Sequence, residues 1–453
     1  MILFRTVWMI CWIIAGVVYG LSFVYTETLW WIMLFWPCMV WRLGISHKVT
    51  NIGGFMWALL ATGIQISGMM YGVYSLTVGQ SFIRVIFIMM WVALMALPGA
   101  VWFGLMGFVH DPVCKKCNLA WWGLSTWLYF LWMEYACLLV CGTWGGCSLL
   151  SPLISLSNTR FIMFLPFVGR SLYLAFWLGI NAFFFFTWMV RARLLFLIGF
   201  CIIAVIGRFI GPRQENIPSW ISHIGVLRSC FLLEEGPDGS LIHCAQHAQR
   251  LYDENGTIRC IIMPESSFYH PAVIERWHHL VQGTWLHNMP CGLIVGGYHL
   301  VSGGYYNTAA FIEGDCVKAL YYKCHAAPFI ERIPWMFRVG CIKKLFNKTQ
   351  GELVIGNVTR PVWEILPDIR VVPYICSELF CAAQQLDDNQ NFPILALCNT
   401  RWAPPSMKKL MVAGARLRAI EWRREILFIA QDDACWIGMH GEMKNLITEL
   451  EYC

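Results

Sequence analysis

Seven runs of about twenty apolar residues crowd the first 213 positions, and no other feature so narrows what the chain can fold into. A helix of that length crosses the ~30 Å hydrocarbon layer, where backbone amides must bond within the helix. The runs lie near 7–25, 28–45, 54–75, 85–109, 119–141, 171–190 and 194–210. An eighth candidate, 148–168, is interrupted by Ser151, Pro152, Ser155, Ser157, Asn158, Thr159 and Arg160, so a loop or re-entrant segment is its alternative. The first run also has the makings of a signal peptide, with Arg5 ahead of an apolar stretch and small residues near Gly16–Gly20.

Charge divides the chain at the same place. Residues 1–213 hold 12 Lys and Arg against three acids, whereas residues 214–453 hold 21 against 24. The break falls in Gly211-Pro212-Arg213-Gln214-Glu215-Asn216. The net charge of +6 over all 453 residues therefore describes neither part. With 58% hydrophobic and 13% charged residues, the composition argues against a soluble globular enzyme, disorder and nucleic-acid binding through bulk charge. The expected fold class is a multi-span α-helical membrane domain over 1–213, followed by a mainly β region.

Counting basic residues on each side of eight spans gives eight against three and places the second half in the cytosol; seven spans give seven against five. The opposite placement is signalled by sequons at Asn255, Asn347 and Asn357 and by twelve of the 20 Cys following residue 213. The expected localisation is an integral membrane chain with its C-terminal half in the cytosol.

Residues 220–453 read as strands and turns. Val226–Leu233 and Ser240–Cys244 flank the turn composition Gly236-Pro237-Asp238-Gly239, and Asn255-Gly256 precedes the strand-like Thr257–Met263. Gly292–Val301 and Tyr305–Ile312, separated by Gly303-Gly304, read as a hairpin, and Glu442–Leu450 as the best helix. At an offset of 117, Trp285 falls on Trp402, Leu293 on Leu410, Val295 on Val412, Gly297 on Gly414, Leu300 on Leu417, Phe311 on Phe428, Ile312 on Ile429 and Asp315 on Asp432. At 111–112, Cys230 falls on Cys341, Gly239 on Gly351 and Leu241 on Leu353. Coincidence among common apolar residues is the alternative to the favoured reading: two related, tandem β-sandwich-like units at 222–328 and 333–441, with a tail at 442–453.

Chemistry-bearing motifs are few. Cys114-Lys-Lys-Cys117 near His110 has half of a zinc spacing but no second pair, so lipidation or plain thiols are favoured. His243, Cys244 and His247 are ligand types that a strand would point to opposite faces, and His278, His279 and His287 sit beside Trp277 and Trp285 as packing or surface residues. Glu134 and Asn181, inside expected spans, and Arg160 make a possible intramembrane polar site; interhelical hydrogen bonding is the favoured alternative. No GxSxG, Walker A, HExxH or dinucleotide fingerprint occurs, and the glycine-rich 292–304 lacks a phosphate-cradling context. No enzyme activity, metal or cofactor is expected.

The stretch from Arg170-Ser-Leu-Tyr173 through Arg191-Ala-Arg193 and Gly207-Arg208 to Pro218-Ser-Trp220 resembles the nidovirus membrane proteins. Cys291-Gly-Leu-Ile-Val-Gly-Gly-Tyr-His-Leu300 is similar to a strand segment of the coronavirus and torovirus members, and Glu352-Leu-Val-Ile-Gly356 is similar too. The resemblance covers 170–325; the family has three spans and one β domain. It implies a dimeric viral envelope protein of the virion and host Golgi membranes. That protein packs laterally in the lipid bilayer and gathers nucleocapsid and other envelope proteins on a cytosolic β platform. The alternatives are an ion channel or transporter lined by Glu134, Asn181 and Arg160, and an outward-facing glycoprotein carrying glycans at Asn255, Asn347 or Asn357.

Overall fold

The computed structural model describes residues 217–228, 236–327, 353–380 and 392–449, isolated gaps aside, together with a few single positions that include Glu331. The chain groups into two compact units. The first takes Met1–Cys137, Gly146–Arg213 and Ala403–Leu417; the second takes Leu138–Gly145, Gln214–Trp402 and Arg418–Cys453 and holds every strand described below.

Among the described residues twelve strands are present: β1 (Ile224–Leu227), β2 (Cys260–Ile262), β3 (Gly292–Val301), β4 (Gly304–Glu313), β5 (Cys316–Tyr322), β6 (Trp363–Leu366), β7 (Ile369–Ile375), β8 (Ile394–Leu397), β9 (Ile426–Ile429), β10 (Ala434–Ile437), β11 (Met443–Asn445) and β12 (Ile447–Glu449). They form two six-stranded sheets, ordered β12-β1-β2-β3-β4-β5 and β11-β10-β9-β8-β7-β6. Within the first, β12, β1, β2 and β3 run parallel, and β3, β4 and β5 continue antiparallel. Within the second, β7, β8 and β9 are parallel and the flanking pairs are antiparallel.

Parallel strands need crossovers, and helices supply them. Helix α1 (Gly236–Glu254) joins β1 to β2; the short α2 (Ala272–Glu275) and α3 (Trp277–Leu280) lie between β2 and β3. The short α4 (Ser377–Phe380) follows β7, and α5 (Pro405–Trp422) joins β8 to β9. On α1 the buried Leu241, Cys244, Ala245, Ala248 and Leu251 recur at helical spacing, while Ile242, His243 and Gln246 stay exposed. That stripe packs in one core with Leu227, Ile261, Met263, Leu293, Val295, Ala310 and Ile312 of the first sheet and with Trp277 and Val281. At ~1.5–3 kcal/mol for each large apolar side chain fully buried, this core dominates the stability of the unit.

Strands β1, β2, β8, β9 and β10 are buried along their whole length, as a sheet covered on both faces requires. Side chains alternate, so the residues of the first sheet that do not meet the helices turn toward the second sheet. There Phe311 of β4 stacks on Trp363 of β6, with ring centroids 6.2 Å apart.

This architecture corrects the expected fold class. The two β stretches are not two related sandwiches. Phe311 and Phe428 do both lie in strands, but Leu293, Val295 and Gly297 of β3 are matched with Leu410, Val412 and Gly414 of helix α5. The expected strand Ser240–Cys244 lies within α1, and the expected helix at 442–450 supplies β11 and β12. Among the described residues no helix is long and apolar enough to cross a membrane. That finding stands against the multi-span fold class and the integral membrane localisation, and neither is carried forward. Apart from single positions such as Ile10, Ile14 and Leu165, the expected spans lie outside the described residues, as do Glu134, Arg160, Asn181, Asn347 and the Cys114–Cys117 pair.

Two readings of local pattern hold. Thr257–Met263 contains β2, and Gly292–Val301 pairs with Gly304–Glu313 in an unbroken ten-pair antiparallel register.

Candidate active site

Several strands of the two sheets deliver a polar residue just beyond their C-terminal ends. Glu265 follows β2, Lys323 follows β5, Cys376 follows β7, and Cys398 and Asn399 follow β8. Strand ends suit chemistry because the ladder fixes their position while the departing chain frees the side chain.

Glu265 is 4% exposed and anchored at three points. Its Oε1 accepts from Lys323 Nζ at 2.9 Å and Asn307 Nδ2 at 2.7 Å, and its Oε2 accepts from the backbone amide of Asn399 at 2.8 Å. Gln431 Nε2 donates to the Glu265 carbonyl at 2.9 Å. Close backbone packing permits this placement: a Cβ on Gly296 of β3 would sit 2.4 Å from the Pro264 carbonyl oxygen and 2.6 Å from Glu265 Cα. A glycine inside a strand marks such a close approach.

Lys323 is buried and also donates to Glu331 Oε1 at 3.0 Å. Burial alone would push the Lys323 ammonium down, but Glu265, Glu331 and the Cys376 thiol outweigh it and hold the group charged well above its ordinary range. Burial pushes the Glu331 carboxyl up; Lys323 opposes that shift and Glu265 adds to it. Asn307 Nδ2 donates to the Oε1 atoms of both carboxylates, at 2.7 Å each, and holds them together. An isolated buried carboxylate pair would be prohibitive; an ammonium and an amide between them make it tenable.

Cys376 stands at the turn from β7 into α4 with φ +46°, in the left-handed region that costs a side-chain-bearing residue ~1–2 kcal/mol. Its amide donates to the Leu397 carbonyl at 2.8 Å, which fixes the turn. A sharp strand-to-helix turn of this kind raises a nucleophile clear of the sheet. The thiol lies within electrostatic reach of Lys323 and interacts directly with the thiol of Cys398, which Glu265 and Lys323 also influence.

Beneath these groups lies Glu378, fully buried on α4. It accepts from Tyr321 Oη at 2.9 Å, from the Cys324 amide at 2.6 Å, from the His325 amide at 3.3 Å and from the Ile375 amide at 2.8 Å. Ser377 Oγ donates to the His325 carbonyl at 2.6 Å. The backbone next to Lys323 is thereby tied to the backbone next to Cys376.

None of these residues belongs to the site read from the sequence. Of the residues singled out there, His243, Cys244 and His247 lie on α1, with Cys244 in the apolar core. His278 pairs with Asp315 at 2.9 Å on the surface, with His287 at 3.9 Å from the same carboxylate. Asn255 caps the end of α1 through Nδ2 to the Leu251 carbonyl at 3.1 Å, and Asn357 is exposed. Among the described residues no group of three or more His, Cys, Asp or Glu is arranged to hold a metal.

A buried thiol, carboxylates and ammonium at one set of strand ends correct the expectation of a chain without a reaction centre. The viral envelope reading and its virion and host Golgi keywords are not carried forward either, since no helix among the described residues is long and apolar enough to cross a membrane. Their β platform without chemistry is instead a pair of stacked sheets around a candidate catalytic cluster. The channel and outward-facing glycoprotein alternatives fall with them.

No family model matches the chain, and no curated protein matches it. Among solved structures the chain is similar to a carbon-nitrogen hydrolase from Helicobacter pylori G27, at 12% identity over 51% of this chain and 88% of that chain, TM-score 0.39. It is similar to a glutamine-dependent NAD+ synthetase from Acinetobacter baumannii, at 16% identity over 48% and 41%, TM-score 0.35. A CN-hydrolase superfamily protein from Xanthomonas campestris with an arsenic adduct in its active site aligns at 19% identity over 49% and 84%, TM-score 0.32. At these values the likeness assigns no activity.

Proposed function

We propose that the protein is a thiol enzyme that cleaves or transfers the acyl group of a carboxylic amide through a thioester on Cys376. The observation that carries this reading is the strained Cys376, held at a strand-to-helix turn in electrostatic reach of Lys323, whose ammonium bridges Glu265 and Glu331.

The steps follow from the groups present. Glu265 takes the thiol proton, and Cys376 Sγ attacks the carbonyl carbon while the π pair moves to oxygen. Two of the three Lys323 protons are committed to Glu265 and Glu331, and the third is left to stabilise the developing oxyanion. The oxyanion collapses and the C–N bond breaks as Glu265 passes the proton it took from the thiol to the departing amine, while Glu331 holds Lys323 in place. That proton favours amides over esters, because an amine leaves only when protonated. Water or a second nucleophile then gives its proton to Glu265 as it attacks the thioester carbonyl; the C–S bond breaks, and Glu265 returns the proton to the Cys376 sulfur.

Incubation of the full chain with an activated aryl ester tests this. The expected result is a single acyl adduct on Cys376 by peptide mass mapping, absent in Cys376→Ala and formed ~10²–10⁴-fold more slowly in Glu265→Gln. Acylation that survives Cys376→Ala, or that never occurs on Cys376, would overturn the proposal.

A further inference from the structure

The parallel pairing of β7 and β8 sets Val372 opposite Ile394 and Ile375 opposite Leu397. One residue further along each chain stand Cys376 and Cys398. Their backbones are pinned, Cys376 N to the Leu397 carbonyl and Cys398 N to the Ile429 carbonyl, each at 2.8 Å. Neighbouring strands run ~4.8 Å apart, inside the Cα separation of ~4.4–6.8 Å that a disulfide spans. The positive φ of Cys376 turns its side chain out of the regular strand direction, and the two thiols already interact directly. All eight cysteines among the described residues for which a state is assigned are unbridged.

We infer that Cys376 and Cys398 form a dithiol that a peroxide converts to a disulfide, with Cys398 as the resolving thiol that shields the nucleophile from irreversible oxidation. The assignment rests on the reading of Cys376 as the reactive thiol of the site, and it gives Cys398 a role that acyl transfer does not use.

The two sulfurs are unequal in the way such a pair requires. Cys376 is 8% exposed and faces the Lys323 charge, whereas Cys398 is fully buried and desolvation keeps its thiol protonated. Cys376 sulfur attacks one peroxide oxygen: an S–O bond forms, the O–O bond breaks, and the leaving hydroxide takes the proton that the Cys376 thiol gave up and becomes water. Cys398 sulfur then attacks the sulfenic sulfur, forming S–S as S–O breaks, and the Cys398 proton leaves with hydroxide as a second water. One peroxide is reduced by two electrons and two thiols are oxidised. Without Cys398 the sulfenic acid would meet a second peroxide and pass to sulfinic acid, which thiols do not reverse.

The experiment treats the full chain with hydrogen peroxide, alkylates the remaining thiols and maps peptides without reduction. The expected product is a Cys376–Cys398 linked pair ~2 Da lighter than the separate peptides. Dithiothreitol should return iodoacetamide labelling of Cys376 in full. In Cys398→Ser and Cys398→Ala the same treatment should yield Cys376 sulfinic acid, and labelling should not return. A wild-type chain that forms no link, links Cys376 elsewhere or goes straight to sulfinic acid would overturn the inference, as would Cys398 variants that recover like the wild type. Wild-type mapping alone decides the matter if both variants fail to fold. Ester acylation of Cys376 is scored separately: a link without acylation removes the proposed activity and leaves the dithiol, and acylation without a link does the reverse.

Discussion

The two sheets share a strand plan and differ in what their ends carry. In each, three parallel strands lead into an antiparallel meander: β1, β2, β3 into β4 and β5, and β7, β8, β9 into β10 and β11. By that correspondence Arg228 after β1 stands where Cys376 stands after β7, and Glu265 after β2 stands near the place of Cys398 and Asn399 after β8. The first sheet supplies acid and cation, and the second supplies the thiol and the amide that holds the acid. Packing two apolar faces together constrains the plan of both sheets but leaves strand ends free to differ, and the chemistry lies in that freedom.

The sharpest way to break the comparison is to remove the thiol from the second sheet. Cys376→Gly should abolish acylation while raising stability by ~1 kcal/mol, because glycine accepts φ +46° without the cost a side chain incurs. Chemical denaturation beside the ester assay reads both, and a variant less stable than the wild type would remove the claim that the turn is strained.

Removing the cation from the first sheet is next. Lys323→Met leaves Glu265 and Glu331 buried against each other and should cost ~3–5 kcal/mol at neutral pH. The sign with pH follows: carboxyls without their cation favour the protonated form, so the deficit should shrink as pH falls toward the ordinary carboxylate range and widen as it rises. Urea unfolding across that range checks it, and a flat deficit would mean that packing, not charge, holds the cluster.

A smaller effect separates position from chemistry. Gly296→Ala forces a Cβ against the Pro264 carbonyl and should cost ~1–3 kcal/mol with slower acylation, whereas Gly256→Ala, with nothing within 4 Å of its Cβ, should change neither. Equal behaviour of the two would deny that β3 positions Glu265.

The smallest expected effect concerns His325, next to the Lys323 segment. Burial holds its pKa below the usual 6.5, with Glu378 opposing and Arg360 adding to the shift. A depressed folded value means stability is fully present above the unfolded pKa and declines as pH drops below about 6.5 through the folded one. His325→Gln should flatten thermal midpoints over that acid window alone.

Part of this fold was legible in the residues. The Gly292–Glu313 hairpin shows apolar alternation and a glycine turn, and Cys260–Ile262 a buried apolar run, both local properties. Helix α1 was misread because Gly236-Pro237-Asp238-Gly239 looks like a turn, yet Pro is tolerated in a first helical turn. The better signal was the stripe Leu241, Cys244, Ala245, Ala248 and Leu251. The apparent repeat failed because apolar residues at matching spacing serve a strand at Leu293 and a helix at Leu410 alike. The site was not legible as a motif: Glu265, Lys323 and Cys376 are single residues 58 and 53 positions apart, brought together only by sheet topology. What the sequence did show at each was an apolar run ending in one polar or reactive residue, and a glycine pair, Gly296-Gly297, inside a strand.

The buried Glu378 carboxylate has a mechanical consequence. It grips main chain beside the ammonium and main chain beside the sulfur at once, so the two segments share a rivet. When the layers breathe, ammonium and sulfur travel as one piece, and their spacing is protected from motions that would detune groups hung on separate loops.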